Sequence, residues 1–202
     1  MGATAWQSDA VIVHLLGLPG TGKYTVAQAL GLHAAGVGET FVVVDNHLTS
    51  LPILEVVGAD GVAPLDAGVW DLVGEIREVV YRAIEELAPT ERSFVFTNVL
   101  VESDPRSKAV VERLKRLAQV RAGRYVAVML ACDEAELRRR VVGPDRSVRR
   151  KWVVPDAVAE FARQETLVRP SGEVLDIDVT ELSPAEVAVE IFRQLTIGET
   201  AP

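Results

Sequence analysis

The chain has 202 residues, enough for one domain with a sizeable core, and its 49% apolar and 25% charged residues are ordinary for a globular protein. The net charge of −8 and the pI near 5.0 argue against a nucleic-acid partner, because such binding depends on neutralising phosphates with Lys and Arg. No apolar run approaches the roughly 20 residues of a membrane helix, no signal-peptide pattern is present and Cys132 is the single cysteine, so we expect one cytoplasmic domain over residues 1–202 without a membrane partner.

Five short apolar runs alternate with helical patterns and predict a parallel α/β sheet. The runs are residues 11–16, 41–44, 94–99, 125–131 and 174–179. The first run is almost wholly apolar, as in a strand covered on both faces. Helices are predicted over residues 24–35, about 66–87, 104 to about 121, from 133 onward, and after a capping box that begins at Ser183.

Two segments interrupt this alternation. Residues 46–90 hold a loop with Gly58, Gly61 and Pro64, followed by the helix at about 66–87. Residues 143–156, GPDRSVRRKWVVPD, interrupt the helical region after the fourth strand. Insertions of this kind in a sheet protein are often functional, so both are candidate parts of a site.

The stretch GLPGTGKYT, residues 17–25, predicts a phosphate-binding loop. Backbone N–H groups of such a loop and the start of the following helix surround phosphates, while Lys23 reaches the outer two. A plain glycine turn is the alternative, but the strand before the loop and the helix after it favour phosphate binding. The residues expected to bind nucleotide here are Gly17, Pro19, Gly20, Thr21, Gly22, Lys23, Tyr24 and Thr25.

Tyr24 stands where many phosphate loops have the Ser or Thr that holds Mg²⁺. A phenol is too long for that coordination, but Thr25 supplies a hydroxyl one residue later. Thr25 is therefore a weak candidate for contacting Mg²⁺ through water.

With this GxxGxGKxT loop, the chain resembles the nucleoside-monophosphate-kinase and shikimate-kinase-like group of P-loop phosphotransferases, to which adenylate kinase belongs. Within that group it is similar to bacterial AAA-type or kinase-like proteins of unassigned substrate. The resemblance covers essentially the whole chain, but only the phosphate loop is a specific motif. It implies a P-loop NTPase three-layer sandwich with strand order 2-3-1-4-5, ATP and Mg²⁺ as cofactors, an acceptor-binding helical insertion at about 46–90 and a lid at about 143–156. It also implies that the loop after the last strand contacts the base, through Val179 and Thr180.

Asp45, Asn46 and His47 follow the second strand, at the sheet edge where open parallel sheets bind ligands. A carboxylate there can take the proton that an alcohol loses as it attacks a phosphoryl group. The alternative for Asp45 is a helix cap. His14, inside the first strand, is expected to be a packed core residue.

The acceptor has further candidate partners. Trp70 and Arg77 lie seven residues apart on a predicted helix and so share a face; core packing and an exposed ion pair are their alternatives. Thr97 and Asn98 are polar residues in the apolar third strand and are expected to line the site. That strand lacks the acid that usually steers Mg²⁺, and the next acids are Glu102 and the predicted helix cap Asp104.

Residues 138–151 contain seven of the 21 basic residues of an otherwise acidic chain. Guanidinium groups that close over phosphates stabilise the charge of phosphoryl transfer. Arg146, Arg149 and Arg150 are therefore predicted lid residues, whereas Arg138 fits a solvated charged helix.

Together these patterns predict an ATP-dependent phosphotransferase in which Lys23, Asp45 and the lid arginines are catalytic. The acceptor is a small molecule, either an alcohol or a nucleotide phosphate. The chain lacks both the triple-glycine acceptor loop of shikimate kinase and the Asp-Gly-Phe-Pro-Arg segment of adenylate kinase, which disfavours those two identities. The alternative from another class is a nucleotide-binding or hydrolysing regulatory protein without a small acceptor.

Overall fold

A computed structural model describes residues 10–63, 65–143 and 153–197. Its five strands are β1 (Val11–Gly17), β2 (Phe41–Asp45), β3 (Ser93–Asn98), β4 (Arg124–Ala131) and β5 (Val174–Asp178). They form one parallel sheet in the order β2-β3-β1-β4-β5. The predicted fold class and strand order are therefore confirmed.

Seven helices of the described residues surround this sheet. They are α1 (Lys23–Gly36), α2 (Asn46–Val56), α3 (Ala67–Glu86), α4 (Pro105–Val120), α5 (Glu134–Val141), α6 (Pro155–Gln164) and α7 (Pro184–Ile197). Among the described residues no helix is both long enough and apolar enough to cross a membrane.

The core lies on both faces of the sheet, because successive side chains of a strand point to opposite faces. On one face, Val13 and Leu15 of β1 pack with residues of α1 and α7. On the other face, Ile12 and Leu16 pack with residues of α3 and α4. This arrangement makes the three-layer sandwich and explains why β1 is apolar along almost its whole length.

The helix starts follow the predicted capping chemistry. The carboxylates of Asp66 and Asp104 accept hydrogen bonds from the amides of Gly68 and Arg106, at 2.7 and 3.0 Å. Before α7, the Ser183 amide donates to the Glu186 carboxylate at 2.8 Å, as a capping box requires. The two caps and the box fix how α3, α4 and α7 leave their loops.

The segment after β2 differs from the prediction. Residues 46–56 were expected to be loop but form α2, which contains Pro52. Proline within a helix removes a backbone donor, and its presence hides the helical pattern in the sequence. Because α2 begins directly after β2, it carries Asn46 and His47 on its first turn.

Candidate active site

A cleft of about 1220 Å³ opens at the carboxyl ends of β1, β2 and β3. The phosphate loop forms one side of this cleft, and α2 and α3 contribute to the other. Every residue that the sequence predicts to bind the acceptor lines it, namely Asp45, Asn46, His47, Trp70, Arg77, Thr97 and Asn98. The fold therefore brings together side chains from positions 45 to 98 and sets them opposite the loop at positions 17–25.

The phosphate loop has the backbone conformation that its glycines permit. Gly20 and Gly22 have φ angles of 99° and 84°, in the left-handed region that other residues rarely adopt. Gly17 has no room for a side chain, since a Cβ there would lie 2.8 Å from the carbonyl oxygen of Leu130. Gly22 is the N-cap of α1, so the positive end of that helix faces the cleft.

Lys23 folds back over the loop. Its ammonium group donates hydrogen bonds to the carbonyl oxygens of Gly17 and Leu18, at 2.7 and 2.8 Å. The Thr21 hydroxyl donates to the same Leu18 carbonyl at 3.0 Å. The ammonium thus lies at the mouth of the loop, where it can exchange these carbonyls for phosphate oxygens.

The residues near the loop fit a magnesium ion that arrives with a nucleotide. The Thr25 hydroxyl is exposed and donates to the Gly22 carbonyl at 2.7 Å, while Tyr24 lines the cleft. Within the described parts of the chain, no cluster of three or more His, Cys, Asp and Glu side chains could hold a metal. Because Mg²⁺ commonly keeps several waters and is bound by substrate phosphates with few protein ligands, this donor set is adequate for it.

Asp45 holds the end of β2 to the end of β3. Its side chain does not cap α2, although Asp45 stands at the N-cap position. Instead, the Thr97 hydroxyl donates to Asp45 Oδ1 at 2.5 Å and accepts from the Asn46 amide at 3.1 Å. His47 Nδ1 lies 3.7 Å from Asp45 Oδ2. The carboxylate therefore lines the cleft and does not form the helix cap of the alternative interpretation.

Arg77 of α3 also reaches this strand end. Its guanidinium donates to Asn46 Oδ1 at 3.1 Å, and the Asn98 amide donates to the same oxygen at 3.1 Å. Asn98 Oδ1 in turn lies 2.9 Å from Nε2 of His14. Arg77 thus contacts the amide of Asn46 and not a glutamate of its own helix, which was the predicted alternative.

Trp70 lies seven residues, or about two helical turns, before Arg77 on α3 and lines the same cleft. Its side chain is 36% exposed, so the expected alternative of core packing is wrong. An indole at this position offers a flat apolar surface to a ligand.

A second cavity of about 300 Å³ adjoins the phosphate loop on the β5 side. Val179 lines it, whereas Thr180 is engaged elsewhere, accepting from the Asp133 amide at 3.0 Å. Val179 is only 1% exposed, and its amide donates to the Ala131 carbonyl at 2.9 Å. The loop after β5, which the resemblance implies would contact the nucleotide base, contributes Val179, Leu182 and Ser183 to this cavity.

Arg140 is a residue of both cavities that the sequence did not single out. It donates to Glu136 at 2.6 Å and to the Val179 carbonyl at 2.8 Å. A Cβ added at Gly22 would lie 3.9 Å from its Nη1. The signal in the sequence that could have identified Arg140 was its position in the last turn of the helix after β4.

The predicted lid arginines, Arg146, Arg149 and Arg150, lie outside the described residues. Arg138 is described, and it pairs with Glu134 at 3.0 Å and Asp156 at 2.5 Å on the surface. The prediction that Arg138 belongs to a solvated charged helix agrees with this placement.

Comparisons with known proteins extend this description of the fold. No family model and no curated protein matches the chain. Among solved structures, it is similar to a gluconokinase from Sinorhizobium meliloti, at 16% identity and a TM-score of 0.58, over 96% of this chain and 100% of that one. It is also similar to the APS kinase of Mycobacterium tuberculosis in complex with AMPPNP and APS, at 16% identity and a TM-score of 0.58, over 94% and 99% of the chains. A third similar structure is Kti12 from Chaetomium thermophilum in complex with ADP-AlF3, at 12% identity and a TM-score of 0.57, over 90% and 97%. At these identities the likeness concerns the fold, and the chain has the fold of the P-loop small-molecule and nucleotide kinases.

Proposed function

We propose that this protein is a kinase that transfers the γ-phosphoryl group of ATP to a small-molecule acceptor. The observation that carries the proposal is the single cleft in which the phosphate loop faces the polar ends of β2 and β3. A nucleotide on the loop would direct its outer phosphate toward Asp45, Asn46 and Arg77. The similarity in fold to a gluconokinase and to an APS kinase supports phosphoryl transfer and leaves the acceptor open.

In the proposed reaction, an oxygen of the acceptor attacks the γ-phosphorus and the bond to the β–γ bridging oxygen breaks, releasing ADP. For an alcohol acceptor, the hydroxyl proton passes to the carboxylate of Asp45 at the end of β2, which a hydrogen bond from Thr97 holds in place. Lys23 and Arg140 would stabilise the charge on the phosphates. The predicted lid residues Arg146, Arg149 and Arg150 remain candidates for the same role. A magnesium ion bound with the nucleotide would supply further charge neutralisation, with Thr25 as its nearest hydroxyl.

The proposal also assigns the remaining predicted residues. The loop residues 17–25 would bind the phosphates, the backbone of Val179 and Thr180 would face the base, and residues 46–90 would form the acceptor-binding insertion. Trp70 and Arg77 would contact the acceptor from α3. The cytoplasmic location and the single domain over residues 1–202 stay predictions from the sequence.

The decisive experiment incubates the protein with ATP, Mg²⁺ and a small-metabolite extract and detects products by mass spectrometry. We expect one metabolite or one chemical class to gain a phosphoryl group. The matched control is Lys23→Ala, which removes the ammonium that reaches the phosphates and leaves the loop glycines in place. A product that forms equally with this variant, or no product in the presence of bound ATP, would contradict the proposal.

The rival is a nucleotide-binding regulatory protein, and one observation favours it. The carboxyl end of β3 presents Thr97 and Asn98 where an acid usually steers Mg²⁺. The similarity in fold to Kti12, whose structure holds ADP-AlF3, supports nucleotide binding and is compatible with both alternatives. ATP hydrolysis that no metabolite accelerates would favour the rival, whereas an acceleration of about a hundredfold by one metabolite would favour the kinase.

A further inference from the structure

A chain of hydrogen bonds runs from the core of the sheet to the acceptor side of the cleft. The Tyr125 hydroxyl lies 2.8 Å from His14 Nδ1, and His14 Nε2 lies 2.9 Å from Asn98 Oδ1. Asn98 then contacts Asn46 Oδ1 at 3.1 Å, and Arg77 contacts the same oxygen at 3.1 Å. His14 is completely buried and Asn98 is 5% exposed, so water cannot replace the inner bonds of the chain.

The direction of every bond in this chain follows from Arg77. A guanidinium group has only N–H donors, so the atom of Asn46 that it contacts must be the oxygen. Asn98 must then present its NH₂ group to that oxygen, because two amide oxygens would repel each other. Its own oxygen therefore faces His14, which must donate from Nε2.

The same reasoning fixes the other end of the chain. A neutral imidazole that carries its proton on Nε2 has an acceptor at Nδ1, so the Tyr125 hydroxyl donates there. Burial lowers the pKa of His14 to about 4, which keeps the ring neutral at pH 7. The opposite polarity, with every donor and acceptor reversed, would satisfy the same side chains if Arg77 were absent.

We propose that Arg77 sets the polarity of the chain Tyr125–His14–Asn98–Asn46, and that His14 is a positioning residue which makes this part of the cleft a binding site for an oxyanion. This inference rests on the proposed function and narrows its acceptor to molecules that carry a carboxylate or phosphate group.

The polarity explains the choice of ligand. Asn46 Oδ1 accepts hydrogen bonds from Asn98 and Arg77. The other polar group of the Asn46 side chain is its NH₂ group, which is a donor. Arg77 lines the cleft and, within the described residues, forms no ion pair with a carboxylate. Two donors, one of them cationic, match a group that only accepts hydrogen bonds and carries negative charge. A neutral polyol would bring no opposite charge to Arg77.

The first experiment needs no acceptor and no phosphoryl transfer. The tautomer of His14 is measured by ¹⁵N NMR at pH 7 in the intact protein, in Arg77→Met and in Arg77→Lys. We expect the Nε2–H form in the wild type and in Arg77→Lys, whose ammonium is also a pure donor. In Arg77→Met we expect a loss of that single form, with proton density appearing on Nδ1.

A purely structural histidine would not respond to a substitution of Arg77, which two side chains, Asn98 and Asn46, separate from His14. The proposal is overturned if the wild-type ring carries its proton on Nδ1, or if a folded Arg77→Met protein keeps the wild-type tautomer. Tyr125→Phe serves as a second variant, since it deletes only the hydroxyl at the far end; the Nε2–H form should persist in it because Arg77 is intact.

The second experiment tests the ligand class with matched probes: glycerol against glycerate and glycerol phosphate. We expect the anionic members alone to shift the side-chain resonances of Asn46 and Arg77, with affinity weakened about tenfold or more in Arg77→Met. Equal shifts with glycerol, shifts confined to the Gly20 and Gly22 amides, or no shift with any anion would overturn the oxyanion assignment. This experiment observes binding directly and requires no phosphoryl transfer. A failed kinase assay would therefore contradict the proposed function without deciding whether the site binds an oxyanion.

Discussion

Asp45 shows how immediate neighbours fix the orientation of one side chain. The Thr97 hydroxyl fixes one carboxylate oxygen, and His47 lies beside the other. Asp45 is 7% exposed and lines the cleft, so the orientation of its side chain does not depend on a mobile surface rotamer. Such a fixed carboxylate is suited to receive a proton from a bound alcohol.

Replacing this carboxylate tests whether the acceptor is an alcohol. We expect Asp45→Asn to lower turnover by about 10²- to 10⁴-fold with an alcohol acceptor, the usual contribution of a general base, while ATP affinity is unchanged. Turnover and nucleotide binding are measured separately, the second by calorimetry. Asp66→Asn is the matched control, because asparagine caps a helix as well as aspartate does. Near-wild-type turnover in Asp45→Asn would remove Asp45 as the base and point to an acceptor whose attacking oxygen is already anionic.

His14 predicts how the stability of the protein depends on pH. Burial lowers the pKa of His14 from 6.5 to about 4, so between these values the unfolded chain binds a proton that the folded protein does not. The contribution of this group is therefore fully present above pH 6.5 and is lost as the pH falls to 4. The loss amounts to about 3 kcal/mol of unfolding free energy.

Urea unfolding at several pH values measures this dependence. We expect the decline between pH 6.5 and 4 to be shallower in His14→Gln, whose amide can still donate to Asn98 and does not titrate. The comparison between the two proteins removes the contribution of the carboxylates, which they share. Parallel curves for wild type and variant would show that His14 does not keep its neutral form on folding.

At the scale of elements, the phosphate loop and α1 form one unit. Gly22 ends the loop and caps α1 with a φ angle of 84°, whereas Gly36 ends the same helix with open space around its Cα. The two glycines therefore allow the same substitution to be made at opposite ends of one helix.

We expect Gly22→Ala to cost about 1–2 kcal/mol of stability, the penalty of a left-handed conformation for an L-residue, and to weaken nucleotide binding. Gly36→Ala should be neutral or slightly stabilising, because alanine restricts the unfolded chain and meets no neighbour. Thermal unfolding with and without ATP measures both effects. Equal stability and equal ATP response of the two variants would mean that the loop does not require the positive φ at Gly22.

At the scale of the whole molecule, the strand order places the two cavities on either side of β1. β1 pairs with β3 on one side and with β4 on the other, so its loop emerges at the centre of the sheet. β2 and β3 bring the predicted acceptor residues to one side, while β4 and β5 lead to the smaller cavity on the other. A ligand on the loop would thus lie between the cleft and the smaller cavity, which separate parts of the chain build.

The sequence alone determined the sheet, the phosphate loop and the predicted acceptor residues, all of which line the cleft. Apolar runs mark buried strands, glycines at fixed spacing mark a backbone that must bend around phosphates, and a polar group at a strand end marks the ligand edge of a parallel sheet. These are local patterns, and each can be recognised from a few consecutive residues. The helix α2 is the local feature that escaped, because Pro52 obscures its pattern.

Only the tertiary structure decided which side chains meet. The contact of Arg77 with Asn46, the placement of Arg140 beside Val179 and the chain from His14 to Asn46 each join residues far apart in sequence. His14 shows the difference best: the sequence correctly predicts that it is buried, but its hydrogen-bond partners come from β3 and β4. A buried histidine must satisfy its ring nitrogens somewhere, and the partner is chosen by strand register, which no single segment encodes.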